Sequence, residues 1–314
     1  MSQKLEQLIS LFEQLEAWDE HPKWIEKEGG LFGNLSDVNL VGRESKNSKT
    51  HFERVMDQYY VSEKGIKSLV EYCSDEDVLQ YLIQCLEHAN KRVRSEAFDA
   101  LGLTRNIKAL PILINKMQHD SDIENRVDAA HALELMRSGL ATAPLIEIIS
   151  GELENADEAE LWWTCANALS AIADPSSIDA LIAALTRDYG MFEHEASNIR
   201  ESVNGALISI GGEEVVDKLI ALWAKPQIHP MDYKDEGIRS EIIHNLGQIH
   251  HPKAIDFILA QIHHENSYLR ESVVIALSHW PDNTRAIQTL TEARADGDSS
   301  VRDAAEFSLQ RLGK

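Results

Sequence analysis

Val93-Arg94-Ser95-Glu96-Ala97-Phe98-Asp99-Ala100-Leu101 is the clearest copy of a nine-residue pattern that occurs seven times in this 314-residue chain. The copies align on an anchor position that is Arg in six of them, and successive anchors are 31 to 39 residues apart. A period of this length indicates stacked supersecondary units. The seven anchors are Arg94, Arg126, Trp162, Arg200, Arg239, Arg270 and Arg302.

The residues around each anchor follow a helical period. Positions one before, three after and seven after the anchor are apolar in nearly every copy. These positions are four residues apart, so they form one stripe along a helix. The position six after the anchor is mostly Ala or Ser, which lets a neighbouring helix approach closely. The exceptions are Asn125 in the stripe and Asn245 at the small position.

A helix-breaking sequence and a second apolar stripe follow the pattern. Asp174-Pro175 precedes the stripe at 177–185, and His251-Pro252 precedes the stripe at 254–262. Turn residues of this kind end a helix. Neither helix of such a unit can bury its stripe alone, so the units must stack on one another. The sequence therefore predicts an all-α fold, an α-solenoid of about seven to eight helix-turn-helix repeats with an N-terminal helical cap.

The Val-Arg-x-x-Ala-x-x-Ala-Leu helix and the segment 174–181 resemble HEAT repeats, in particular the short type of phycobilisome-lyase-like proteins. The resemblance is clear over 91–314 and degenerate over 62–90. It implies a right-handed superhelix with a structural ladder, in which the Arg of one unit bonds acids in the turns between units. Arg suits this role because its planar side chain donates several hydrogen bonds. The ladder residues are Arg94, Arg126, Arg200, Arg239, Arg270 and Arg302.

The chain before the clear repeats has a different character. An amphipathic helix is predicted over 3–17, because its apolar residues fall on one face. Residues 18–50 lose this periodicity and are expected to form a loop. The resulting domains are an N-terminal helical cap with this loop at 1–61 and a repeat solenoid at 62–314, in which 62–90 is a degenerate first repeat and 300–314 is a C-terminal cap.

The net charge of −22 limits the classes of partner that the protein is expected to bind. Nucleic acids and anionic membranes bind Lys and Arg, so neither is expected as a partner. An acidic surface attracts another protein with a basic surface, although acidity also keeps a solenoid soluble. The second helices carry Asp179, Asp217 and Asp256 at one register, where an acid also complements the helix dipole.

The cellular compartment follows from sparse cysteines and the lack of targeting signals. The three cysteines, Cys73, Cys85 and Cys165, all fall in apolar helical stripes, which argues for a reducing compartment without disulfides. The N-terminus lacks the apolar run of a signal peptide, and no stretch has the 18 apolar residues of a membrane span. The sequence predicts a cytoplasmic protein. Nothing in it argues for an oligomer, so a monomer is expected.

Two connections between repeats, 186–195 and 225–235, are longer than the others and belong to the same edge of adjacent units. Insertions on one edge often form a binding face, and aromatic residues and Met are enriched in interfaces. The adjoining repeat has Trp162 at the anchor, followed by Trp163, and one of these two side chains is expected in the core. The alternative is that both loops only pack over their own repeats. The candidate partner-binding residues are Trp162, Trp163, Tyr189, Met191, Phe192, Met231 and Tyr233.

Thirteen histidines raise the question of a metal site. The pairs His250-His251 and His263-His264 flank the stripe at 253–262, which places them ~15 Å apart, too far for one metal. His279 falls at the same turn end as the first pair, in the adjacent unit. Deoxyhypusine hydroxylase, a HEAT-like enzyme, holds two irons with His-Glu pairs in its first helices, and the matching helices here lack the His. No metal, cofactor or catalytic residue is therefore assigned.

The sequence favours a non-catalytic scaffold or adaptor that binds another protein. A sharper form of this hypothesis is an acidic inhibitor, such as an immunity protein, for a basic toxin or nuclease. The alternative is a lyase or accessory factor for cofactor or chromophore attachment, as in phycobilisome lyases. That alternative depends on the repeat alone, because fold does not determine function.

Overall fold

The structure, a computed structural model, describes residues 3–17, 64–68, 70, 73–153, 155–192, 195–225, 227–228 and 234–314, apart from the side chain of Met191. These residues form helices joined by turns, with no strand among them. The α-helices are α1 (Gln3–Ala17), α2 (Glu76–Cys85), α3 (Lys91–Thr104), α4 (Leu110–His119), α5 (Ile123–Met136), α6 (Thr142–Ser150), α7 (Asp157–Ile172), α8 (Ile178–Leu185), α9 (Ala196–Ile210), α10 (Gly212–Trp223), α11 (Asp235–Gln248), α12 (Pro252–Ala260), α13 (Ser267–Leu277), α14 (Thr284–Ala293) and α15 (Ser299–Arg311).

First and second helices alternate along the chain. The odd-numbered helices from α3 to α15 carry the anchor positions, and the even-numbered helices carry the second stripes. Asn or Asp begins several first helices by accepting a hydrogen bond from the backbone N–H two residues later. The caps of this kind are Asn90, Asp122, Asn266 and Asp298.

The predicted stripe is the core of the repeats. All the apolar residues at its three positions are buried in the seven first helices. Asn125, the polar exception, is also buried, because it accepts a hydrogen bond from Arg94 and donates one to Asp120. The residues six after each anchor are buried as well, including Asn245, which donates to Asn204 across 2.7 Å.

The chain divides into two compact units, Met1–Arg137 and Ser138–Lys314. In the first unit α3 packs on α5, and α1 packs on α2 and α3. In the second unit the first helices pack in the order α7, α9, α11, α13 and α15. Stacked helix pairs of this kind confirm the predicted all-α solenoid. The division falls inside the region predicted as one solenoid, 62–314.

The N-terminal segment was predicted to contain a helix and then a loop. Helix α1 spans the predicted residues 3–17 and buries Leu8, Phe12 and Leu15. The loop predicted at 18–50 lies outside the described residues. In the part of the chain that is described, no helix has the length and hydropathy to cross a membrane.

Two glycines bring neighbouring first helices into close contact. Gly102 and Gly247 both lie eight residues after an anchor. A Cβ atom at Gly102 would lie 2.7 Å from the Ala132 carbonyl oxygen, and one at Gly247 would lie 2.8 Å from the Ala276 Cβ. These positions leave no space for any other residue type.

Candidate functional site

The anchor Arg side chains bond the turns before and after their helices. Arg94 donates to the carbonyl oxygen of His88 at 3.1 Å and to Asp122 of the next repeat at 3.0 Å. Arg270 donates to the His264 carbonyl at 2.9 Å and to both carboxylate oxygens of Asp296, also in the next repeat. These two Arg residues tie successive repeats together.

The other four anchor Arg residues bond mainly backbone carbonyls of the preceding turn. Arg126 donates to Met117, Arg200 to Leu185 and Arg187, Arg239 to Lys225, and Arg302 to Asp296 and Gly297. The carbonyls at the end of a second helix have no partner within that helix. The Arg ladder therefore caps second helices as well as pairing with acids.

The second helices carry another ladder, which was not predicted from the sequence. Acids near the start of one second helix pair with a basic residue in the next second helix or in the turn just before it. The pairs are Glu76–Lys108, Asp179–Lys218 at 2.5 Å, Asp217–Lys253 at 2.9 Å and Asp256–Arg285 at 2.7 Å. Each of these basic residues follows its acid by about one repeat length in the sequence. This spacing is the signal from which the pairs could have been predicted. Asp179, Asp217 and Asp256 therefore do not form an unbalanced acidic face.

Trp162, which stands in place of a ladder Arg, is only 2% exposed. Its ring packs edge-on against Tyr189, with 6.2 Å between centroids, and the Arg187 guanidinium lies 4.9 Å from its centroid. Arg187 also donates to the carbonyl oxygen of Gly151 at 2.7 Å, at the end of α6. An Arg from the following loop thus supplies the bond that a ladder Arg at 162 would make.

We expect Arg187→Ala to lower the free energy of unfolding by about 1–2 kcal/mol, because it removes a cation–π contact and a carbonyl cap together. Urea denaturation followed by circular dichroism measures this change. The matched control is Arg294→Ala, which removes a half-exposed ion pair with Glu306 and should cost less than about 0.5 kcal/mol. Equal losses in the two variants would contradict the role given to Arg187.

The described members of the predicted partner-binding set do not form one exposed surface. Trp162 and Tyr189 are buried, and the Tyr189 hydroxyl donates to the Ala184 carbonyl, so both stabilise the loop over its own repeat. Phe192 is half-buried in the turn Gly190–Phe192. Trp163, the next residue of α7 after Trp162, is half-buried. The side chain of Met191 and the residues Met231 and Tyr233 lie outside the described residues.

Trp163 borders an open groove of about 400 Å³ between α7 and α9. Helix α7 supplies an indole and an amide, and α9 supplies an amide, a carboxylate, a hydroxyl and a glycine. The lining residues are Trp163, Asn167, Asn198, Glu201, Ser202 and Gly205. Of these six residues, only Trp163 was predicted from the sequence as a candidate. The spacing of four between Trp163 and Asn167 places these two on one helix face, which is the available signal.

A second polar cluster lies between α3 and α5. The His131 Nδ1 atom lies 2.9 Å from the Asp99 carboxylate, and this contact raises the pKa of His131. Asp128 is hydrogen-bonded to Ser95, but burial and the nearby Asp99 charge raise the pKa of Asp128 to about 6. The folded state therefore binds the Asp128 proton more tightly than the unfolded state. The contribution of Asp128 to stability consequently falls as the pH rises from about 4 through about 6.

We expect Asp128→Asn to raise the free energy of unfolding by about 1–2 kcal/mol at pH 7.5, because a half-buried negative charge is removed. The gain should vanish near pH 4, where Asp128 is protonated in the folded state. Urea denaturation at the two pH values measures both results. Asp303→Asn, on the exposed surface of α15, is the control and should change little. A gain that is equal at both pH values would refute this interpretation.

Histidines in α11 and in the turns after α11 and α13 pack together. The His244 and His279 ring centroids are 6.2 Å apart, and the His250 ring packs at a tilt against Trp280, with 5.0 Å between centroids. Burial lowers the pKa of His244 and of His279. His251 caps α12 by accepting the Lys253 N–H. Across the described ranges no three His, Cys, Asp or Glu residues converge as metal ligands.

Comparison with known proteins identifies the repeat. The family model for HEAT repeats matches residues 56–134 and 231–310, just over half of the chain. The model for the PBS lyase HEAT-like repeat matches residues 163–187. No curated protein sequence matches the chain.

The solved structures that are similar to the chain include the following three. Human deoxyhypusine hydroxylase is 18% identical, with 82% of this chain and 91% of that chain covered and a TM-score of 0.33. The complex of CpcE and CpcF of phycocyanin lyase from Nostoc sp. PCC7120 is 20% identical, with 85% and 99% covered and a TM-score of 0.39. A designed armadillo repeat protein is 15% identical, with 74% and 99% covered and a TM-score of 0.34.

Proposed function

The chain belongs to the HEAT-repeat proteins, and we propose that it is a non-catalytic scaffold that binds a protein partner with a basic surface. The stacked repeats supply a rigid surface, because each helix pair is held by its neighbours through buried stripes and bonded ladders. The partner would be attracted by the acidic surface and then held by local contacts.

The observation that supports this proposal is the charge of the second unit. Residues 138–314 contain 28 Asp and Glu but only 13 Lys and Arg, so most of the net charge of −22 lies there. Most of these basic side chains are already bonded within the chain. The bonded ones are Arg187, Arg200, Lys218, Arg239, Lys253, Arg270, Arg285, Arg294 and Arg302. Most of the described acids of this unit are exposed, and exposed acids attract cations.

Capture of partners from the host lysate at two salt concentrations tests the proposal. We expect the immobilised protein to retain basic proteins at about 50 mM salt and to release them at about 500 mM, because salt screens exposed charges. Mass spectrometry identifies the retained proteins, and the affinity of the purified pair is then measured against salt. A partner with an acidic surface, or an affinity that is independent of salt, would refute a basic partner.

The sharper form of the proposal is an acidic inhibitor that covers a basic toxin or nuclease. It is supported by the same charge excess, since a mimic of an anionic substrate must carry many exposed acids. Inhibition of the retained partner's own activity by the purified protein is the decisive measurement. A basic partner that remains fully active when bound supports the scaffold alone.

The alternative function is a lyase or an accessory factor for chromophore or cofactor attachment. It is favoured by the match of residues 163–187 to the PBS lyase HEAT-like repeat. The same capture experiment distinguishes it, because absorbance spectroscopy and intact-mass measurement of the purified protein detect a retained chromophore. A bound chromophore would favour this alternative over the scaffold.

A further inference from the structure

We propose that the groove between α7 and α9 binds an extended segment of the basic partner, with a Lys or Arg side chain lying across the Trp163 indole and reaching Glu201. This inference rests on the proposed function and names the site and the chemistry that recognise the partner. It depends on four features of the groove: free polar groups, space, local charge and an available aromatic face.

The polar side chains of this groove do not bond one another, in contrast to the polar side chains between other first helices. Between α9 and α11, Asn204 bonds Glu241 at 3.2 Å and Asn245 at 2.7 Å. Between α11 and α13, Ser240 bonds Ser272 at 2.7 Å.

Between α3 and α5, His131 bonds Asp99. In the groove, the side chains of Asn167, Asn198, Glu201 and Ser202 make no hydrogen bond or ion pair with any described residue. Their donors and acceptors are available to a ligand.

Gly205 provides the space. It lies five residues after the anchor Arg200, a register at which His131 and His244 carry large side chains. A Cβ atom at Gly205 would meet nothing within 4 Å. The groove is thus open because this position has no side chain, and neither close helix packing nor a turn requires the glycine.

The local charge favours a cation. Glu201 is exposed on α9, and Glu160 is exposed one turn before Trp163 on α7. The nearest basic residue in the sequence, Arg200, is turned away, because it bonds the Leu185 carbonyl and lies over the Tyr189 ring at 5.2 Å. No cation of the chain therefore occupies the groove within the described residues.

The chemistry of the lining fits a basic peptide. An indole face attracts an ammonium or guanidinium group, and a carboxylate beside it adds a charge-assisted hydrogen bond. The amides of Asn167 and Asn198 each offer a donor and an acceptor, which matches the pattern of an extended peptide backbone. Nucleic acid does not fit, because its phosphates would face Glu160 and Glu201.

Titration of the full-length protein with octalysine, followed by isothermal calorimetry, tests the site. We expect Glu201→Gln and Trp163→Leu each to weaken octalysine binding about threefold to tenfold, because each removes one direct contact. Gly205→Ile, which places a branched side chain where a Cβ atom would meet nothing within 4 Å, should weaken it by a similar factor. The matched control is Glu236→Gln on the exposed surface of α11, which makes the same change in net charge and should alter binding less than about twofold.

The outcomes separate this inference from the proposed function. Equal effects of Glu201→Gln and Glu236→Gln, with no effect of Gly205→Ile, would overturn the groove as the site while leaving a basic partner intact. Absence of octalysine binding at about 50 mM salt would overturn both. Selective loss in the three groove variants, with circular dichroism showing unchanged helix content, supports the inference.

Discussion

Replacing Gly247 by Ala is expected to lower the free energy of unfolding by about 2–3 kcal/mol. The new Cβ atom would lie 2.8 Å from the Ala276 Cβ, 3.0 Å from its Cα and 3.1 Å from its carbonyl oxygen. These are backbone and near-backbone atoms, so no side chain can rotate to relieve the overlap. Helices α11 and α13 would have to move apart, and the buried stripe between them would lose contacts. Gly102→Ala, at the same register in the first unit, should have a similar effect.

The matched control for Gly247→Ala is Gly205→Ala, which places the same substitution within a first helix of the same unit. Nothing lies within 4 Å of a Cβ atom at Gly205, so only the helix propensity changes. Ala is favoured over Gly within a helix by up to about 1 kcal/mol, so this variant should be more stable. Urea denaturation followed by circular dichroism should give opposite signs for the two variants. Destabilisation by both substitutions would contradict the close approach at Gly247.

The pattern around the anchors was sufficient to predict the helices and their buried stripe. Val93, Ala97 and Leu101 are buried because the helical period places them on one face, which depends on local geometry alone. The close contacts of Gly102 and Gly247 were not predicted. They depend on the distance between two first helices that are about 30 residues apart in the sequence, and no local period encodes that distance.

The candidate site was predicted only in part. The two Trp residues were identified, but Trp162 is buried against the Tyr189 ring, whereas Trp163, the next residue of α7, lines the groove. The loop residues Arg187 and Tyr189 cover Trp162, which stands where other repeats have a ladder Arg. This contact joins two distant parts of the sequence, so the helical period did not predict it. The role of Gly205 in the groove was not predicted, because a glycine opens space only relative to a neighbouring helix whose position the sequence does not give.

The Arg ladder also could be predicted only in part from the sequence. Its register was visible in the sequence, and the resemblance implied acids as partners. The backbone-carbonyl partners were not predicted, because carbonyls have no sequence signature. The carbonyls bonded by Arg126, Arg200 and Arg302 belong to the end of the preceding second helix or to the turn after it, and they are present whatever residue stands there. The acids that bond Arg94 and Arg270 lie in the next repeat and depend on side-chain identity, so these two positions connect repeats in a way that substitution can test.

Arg270→Ala is expected to lower the free energy of unfolding by about 3 kcal/mol. Arg270 is 17% exposed and Asp296 is 15% exposed, and two hydrogen bonds of 2.9 and 2.8 Å join them. The substitution leaves that carboxylate largely buried without its cation, and it also frees the carbonyls of His264 and Glu265. Arg285→Ala is the control, because its ion pair with Asp256 is exposed and should contribute less than about 1 kcal/mol.

The pH dependence of the Arg270 variant gives a second, independent readout. The Arg270 guanidinium holds the pKa of Asp296 below its ordinary value, so the pair contributes stability above that ordinary value and loses it as the pH falls through the depressed pKa. The destabilisation by Arg270→Ala should therefore shrink as the pH falls below about 4. Addition of Asp296→Asn should recover part of the loss at pH 7, because no buried charge then remains. A loss that does not depend on pH, with no recovery in the double variant, would show that the backbone bonds of Arg270 carry the whole effect.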